Sequence, residues 1–138
     1  GSMRKFVKEK IEEYNLKQKV KLLKYSKYPM QTLNQCNLLV LTSKFEGLPN
    51  VLIEAQYLKK YIISTNCKTG PKEILKNGNF GSLVNIGDYN QLAKQIEFFY
   101  YIKNSNIIKR KIKLGFNHLN RFDFFINCNK FQQIIKKY

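Results

Sequence analysis

Leu38-Leu39-Val40-Leu41-Thr42-Ser43-Lys44-Phe45-Glu46-Gly47-Leu48-Pro49-Asn50-Val51-Leu52-Ile53-Glu54-Ala55 is the stretch whose reading decides the fold. The apolar run 38–41 has the length and composition of a buried strand, Glu46-Gly47 makes a turn and Pro49 opens a helix, so the order is strand, turn, helix. In open α/β sheets ligands bind at such turns. Pro49 suits the first helical position, where its missing N–H costs nothing and its φ is already helical. The free N–H groups are then those of Asn50, Val51 and Leu52, and with the positive end of the helix dipole they suit a phosphate. Glu46 and Glu54 cannot serve that anion, because ionised carboxylates only accept hydrogen bonds. They call for hydroxyl donors. A nucleotide-sugar, with a central diphosphate and polyhydroxylated groups at both ends, satisfies the helix start and both carboxylates together. Each hydroxyl-to-carboxylate bond would contribute roughly 1.5–3 kcal/mol.

Outward from this stretch the chain alternates between the two periodicities. Residues 4–14 read as a charged helix with Phe6, Val7, Ile11 and Tyr14 on one stripe, 20–23 as a short strand and 30–35 as a short helix. The run 38–41 is expected to be a parallel strand covered on both faces. A helix over 49–58 leads to a strand at 61–64, Gly70-Pro71 to a helix over 72–75 ended by Asn77-Gly78, and 81–84 closes another strand. Segments 89–102, 107–119 and 122–135 are helical in pattern. Strands alternating with helices predict an α/β class with a Rossmann-like parallel sheet flanked by helices. Asp88 is expected to N-cap the helix that follows it.

The residues around the turn resemble a known family. Glu46-Gly47-Leu48-Pro49-Asn50 followed by Glu54-Ala55 is similar to the Glu-x7-Glu motif of retaining GT-B glycosyltransferases, specifically glycosyltransferase family 4. Thr69-Gly70-Pro71-Lys72-Glu73-Ile74-Leu75, Asn77-Gly78-Asn79-Phe80-Gly81-Ser82-Leu83-Val84 and Asp88 resemble the continuation of that domain, so the likeness runs from about Val20 to Ala93. It implies the C-terminal half of a GT-B fold, transferring a hexosyl group from a nucleotide-diphosphate sugar to a saccharide or lipid-linked acceptor in glycan biosynthesis. Glu46 would be the catalytic carboxylate facing the donor sugar. Glu54 would bind the ribose hydroxyls, and the backbone of Gly47, Leu48, Pro49, Asn50, Val51 and Leu52 would receive the diphosphate and sugar. A UDP-sugar is the donor expected from family habit, with Lys24, Tyr25 and Ser26 as the loop touching the base. The leaving diphosphate would be stabilised at the helix start, an arrangement that calls for neither metal nor cofactor. The chain departs from the family in offering Lys24 or Tyr25 where a glycine is usual, and Asn37 where an aspartate precedes the strand. Neither the family's opening strand, Gly-rich turn and basic pair nor its acceptor domain is found before Val20. The expectation is a donor-binding fragment of a larger two-domain enzyme, inactive alone, with Gly1-Ser2-Met3 an expression scar and 4–138 the nucleotide-sugar-binding domain.

Composition bounds the alternatives. A chain of 138 residues with 43% apolar content is long enough for one domain with a real core. It has no run of about 18 apolar residues and no signal peptide, so the expected place is the cytoplasm, with peripheral association at the inner membrane face as an option. Cys36, Cys67 and Cys128 fit neither a zinc site nor a disulfide framework and are expected to be reduced core thiols. The net charge of +16 invites a non-enzymatic reading, a basic binding module for nucleic acid or an anionic membrane surface. Its cations are almost all lysines, with arginine only at 4, 110 and 121, whereas base and phosphate recognition favours arginine. No nucleic-acid-binding signature accompanies them, so no specific nucleic acid is expected. A nucleotide-sugar sensor without chemistry is the other alternative. His118, the one histidine, has no partner at ligand spacing. The aromatics over 122–131 have the helical spacing of packing residues, but in the resembled family the last helix crosses back to the acceptor domain, so an exposed patch there would be a severed interface.

Overall fold

In a computed structural model, residues 2–136 are described. The elements follow in the order α1 (Arg4–Glu13), α2 (Pro29–Asn34), β1 (Leu38–Leu41), α3 (Asn50–Tyr57), β2 (Tyr61–Thr65), α4 (Pro71–Ile74), β3 (Ser82–Val84), α5 (Tyr89–Ile102), α6 (Asn106–Asn117), a 3-10 turn (Leu119–Phe122) and α7 (Phe124–Ile135). The three strands form a parallel sheet in the order β1-β2-β3, with Leu38 opposite Tyr61, Leu41 opposite Ser64, Ile63 opposite Ser82 and Thr65 opposite Val84. The class is α/β, a Rossmann-like sheet flanked by helices, as expected.

The strand β2 organises the core because its side chains alternate between the two faces. Ile62 packs with Leu52, Ala55, Ile74, Leu75 and Phe80. Tyr61 and Ile63 pack on the other face with Val84, Phe99 and Ile108, where Tyr61 stacks on Phe99 with ring centroids 5.2 Å apart. All five residues of β2 are buried, whereas all four of β1 are half-buried. The strand covered on both faces is therefore β2. The apolar run 38–41 is a strand as expected, but among the described residues it pairs on one side only, and its apolar content comes without full burial.

Residues 20–23 are not a strand. Their composition suits one, yet no sheet partner reaches them, and the Leu22 and Leu23 carbonyls instead accept from the Arg4 guanidinium at 3.3 and 3.0 Å. The α1 stripe is not buried either: Phe6, Val7 and Tyr14 are exposed. Of the three cysteines, which are all free thiols, only Cys67 is in the core, Cys36 being exposed and Cys128 half-buried. Phe122 packs at the core margin, while Phe124, Phe125 and Phe131 stand open on α7, so that helix does not bury its aromatics as packing residues would. Among the described residues no helix is long and apolar enough to cross a membrane.

Candidate functional site

The turn from β1 to α3 is held by its neighbour β2. Where β2 ends, the Thr65 hydroxyl donates to the Ser43 carbonyl at 2.6 Å and the Cys67 thiol to the same oxygen at 3.2 Å. The following loop closes on the turn: Thr69 Oγ1 donates to the Glu46 carbonyl at 2.6 Å. Gly70 sits beside it with φ +81°, and a Cβ there would lie 2.2 Å from the Gly47 carbonyl oxygen and 2.7 Å from Pro49 Cδ. Only a residue without a side chain allows this approach, and only glycine adopts that φ without strain. Two loops, 42–49 and 66–70, thus form one rigid rim at the carboxyl end of the sheet.

The helix start differs by one residue from expectation. Pro49, with ψ 96°, is the flanking cap residue and not the first helical residue, and α3 begins at Asn50. The Pro49 carbonyl accepts from the Leu52 N–H at 3.0 Å. Leu52 is also fully buried, so its N–H is withdrawn from the expected set, and the first-turn donors left are those of Asn50 and Val51. Gly47, Leu48 and Asn50 are exposed while Pro49 is buried against Gly70.

Glu46 and Glu54 are both half-buried. Glu46 lies on the rim, its main chain fixed by Thr69. Glu54 lines a groove of about 350 Å³ with Met30 of α2, Tyr57 of α3, and Asn120 and Asp123 from the segment between α6 and α7. Four of the groove residues, Glu54, Tyr57, Asn120 and Asp123, carry polar groups suited to hydroxyls, and Met30 and Phe122 add apolar walls. Met30 stands four residues beyond Ser26, the end of the expected base loop. In that loop Tyr25 is 93% exposed, and the Ser26 hydroxyl is engaged by the Tyr28 N–H at 3.0 Å. Helix α3 connects the Glu46 rim to the Glu54 groove.

Several residues that build the site carry no chemical signal in sequence. Thr69 and Gly70 fix the turn through backbone contacts, a role that neither the family resemblance of the Thr-Gly-Pro run nor its helix-start signal specifies. Gln56, a polar residue expected on no particular face, is buried and donates to the Ile74 carbonyl at 3.3 Å, tying α3 to α4. Lys111 donates to the Gly78 and Gly81 carbonyls at 2.8 Å each, and burial holds its ammonium below the ordinary lysine range. Arg121 donates to the Glu73 and Ile74 carbonyls at 3.0 and 2.8 Å; burial lowers its pKa and the nearby Glu73 charge opposes that. His118 packs against Phe80 in a tilted arrangement, ring centroids 4.7 Å apart. Asp88 caps α5 as expected, accepting from the Gln91 N–H at 2.8 Å.

Residues 1–113 match the family model for glycosyl transferases group 1. An uncharacterized glycosyltransferase of Methanocaldococcus jannaschii is 45% identical over 75 residues, 54% of this chain and 18% of that protein. The N-acetylgalactosamine-N,N'-diacetylbacillosaminyl-diphospho-undecaprenol 4-alpha-N-acetylgalactosaminyltransferase of Campylobacter jejuni is 34% identical over 87 residues, 63% of this chain and 24% of that protein. The chain spans about a fifth of the length of the curated relatives it matches. Anabaena HepE, solved in complex with UDP, superposes with a TM-score of 0.86 at 21% identity over 99% of this chain and 38% of its own, a likeness of fold.

Proposed function

The chain belongs to the glycosyl transferases of group 1, and from that premise we propose that it is the nucleotide-sugar-binding domain of a two-domain, retaining enzyme of glycosyltransferase family 4. That enzyme transfers a hexosyl group from a nucleotide-diphosphate sugar to a saccharide or lipid-linked acceptor. The observation that carries this reading is the clamped turn: Glu46-Gly47-Leu48-Pro49 held by Thr69 and Gly70 at the start of a helix that bears Glu54.

The diphosphate lies at the exposed start of α3, where the Asn50 and Val51 N–H groups and the helix dipole offset the charge that develops as the glycosidic bond breaks. Glu46 orients the sugar at the rim, and Glu54 takes the ribose hydroxyls in its groove. The base lies toward Met30 and the 24–26 loop. UDP is the favoured nucleotide because a fold neighbour holds it, and a lipid-linked acceptor is supported by the name of the Campylobacter relative. Acceptor binding falls to a second domain, which makes 4–138 the donor half. Neither the family match nor the turn geometry favours a non-enzymatic basic module.

Titration calorimetry with UDP-, GDP- and ADP-sugars tests the reading. One of them binds, weakly, and Glu54→Ala removes most of that binding. Absence of binding at millimolar donor, with the circular dichroism of a folded chain, would overturn the donor assignment. The chain alone transfers no labelled sugar to saccharide or lipid acceptors, and turnover by it would refute the division of labour.

A further inference from the structure

A groove between α4 and the α6 to 3-10 segment is lined by cations on both walls. Lys68, Lys72 and Lys76 stand on one side and Arg110, Lys111 and Arg121 on the other. It consists of two connected hollows of about 530 and 430 Å³ that share Lys76 and His118. Its one carboxylate is Glu73. Among the described residues the direct ion pairs are Lys10–Glu13 and Lys17–Glu12, so none of the six groove cations is in one, and the Glu73 charge acts on Arg121 without pairing with it. Residues 98–122 contain six of the chain's cations and no Asp or Glu if Lys103, Lys109 and Lys113 are counted with Arg110, Lys111 and Arg121.

Two of these cations retain donors they do not use within the protein. Lys111 spends two of its three ammonium protons on the Gly78 and Gly81 carbonyls. Arg121 bonds through Nη2 alone, which leaves Nη1 as its donor for the groove, while its Nε is buried out of reach. Cations facing each other across a cleft with low-dielectric walls focus the field between them, which is where a multiply charged anion is stabilised most. Planar guanidinium and flexible ammonium groups on opposite walls match phosphate oxygens.

We propose that this groove is a second binding site, for a phosphate-bearing anion that bridges the lysines beside α4 and the Arg110–Lys111–Arg121 wall. Its Thr69 and Gly70 edge is also the back of the rim around Glu46, so an anion seated there bears on the loop that holds the turn. The site stands on its own observations and does not require the donor assignment.

Inorganic pyrophosphate titrated into the chain by calorimetry is the direct probe. The combined Lys68→Ala, Lys72→Ala and Lys76→Ala variant removes three exposed side chains without recorded hydrogen bonds, and it should weaken binding roughly ten-fold or more. A control variant with Lys5, Lys8 and Lys19 changed to Ala loses the same charge from an exposed surface elsewhere and should stay within about two-fold. Arg110→Gln alone provides a milder test, with a smaller loss in the same direction. Vesicles of phosphatidylglycerol against phosphatidylcholine separate the sources of the phosphate: vesicle binding that is lost with the groove variant assigns a headgroup, and vesicle binding unaffected by it assigns a free anion. Pyrophosphate affinity unchanged by the groove variant, or reduced equally by the control, would overturn the proposal.

Discussion

At Gly70 a single hydrogen in place of a side chain decides whether the turn can form. Gly70→Ala combines a left-handed backbone with a Cβ driven into the Gly47 carbonyl and Pro49. The first costs about 1–2 kcal/mol and the second about 1–3 kcal/mol, so a loss of roughly 2–5 kcal/mol is expected in urea unfolding. Under the proposed function donor binding falls with it, because the clash moves the residues after Glu46. The two carboxylates divide the work differently under the proposed function. Glu54 acts through the ribose in ground and transition state alike, so in the intact enzyme Glu54→Gln appears largely in KM. Glu46 lies where charge and geometry change, so Glu46→Gln falls mainly on kcat. Steady-state kinetics showing a near-normal kcat for Glu46→Gln would reverse these roles.

Helix α4 has only four residues, too short to persist on its own hydrogen bonds. Its last carbonyls are taken by Arg121 and the turn after it by Lys111. Arg121→Ala therefore costs about 1–3 kcal/mol through two lost charge-assisted bonds, measured by chemical unfolding, and Arg121→Lys recovers only part because a point charge does not reproduce the guanidinium fork. Strand β2 supplies a pH-dependent counterpart. Burial raises the Tyr61 phenol above its ordinary 10.0, with the 2.8 Å hydrogen bond to Ser82 opposing the shift. The folded state thus keeps this proton more tightly than the unfolded chain, and the associated stability is whole below pH 10.0 and lost as pH rises toward the folded value. Tyr61→Phe flattens that alkaline decline relative to the parent, and near neutral pH it costs about 1 kcal/mol for the Ser82 bond.

Across the molecule, burial is concentrated on the sheet and thins toward both ends of the chain. Neither α1 nor α7 contains a buried residue, whereas β2 is buried throughout. Hydrogen exchange should therefore be slowest in β2 and fastest in α1 and α7, since local opening of the end helices exposes little apolar surface. Protection of α7 equal to that of β2 would contradict this gradient. Helix α7 exposes Phe124, Phe125 and Phe131 together with Ile126, Ile134 and Ile135, so a helix whose pattern reads as packed is left uncovered by the described residues.

Local chemistry is legible in the sequence alone. The bounds of β1 and α5, the Asp88 cap, the Asn77-Gly78 stop after α4 and the strand–turn–helix around Glu46 each depend on residues within a few positions of one another, where periodicity and capping operate. The parallel sheet followed from strands alternating with helices. Which strand lies at its centre did not, because the two apolar runs 38–41 and 61–64 look equally buried in one dimension and only β2 receives a partner on both sides. For the same reason residues 20–23 carry a strand's composition without a sheet to join. The clamp of Thr69 on Glu46, the burial of Gln56 and the capping of α4 by Arg121 connect residues 18 to 48 positions apart. Those pairings arise from packing of the folded chain, since a side chain's partner across space is set by where the elements dock and leaves no periodic trace in the sequence.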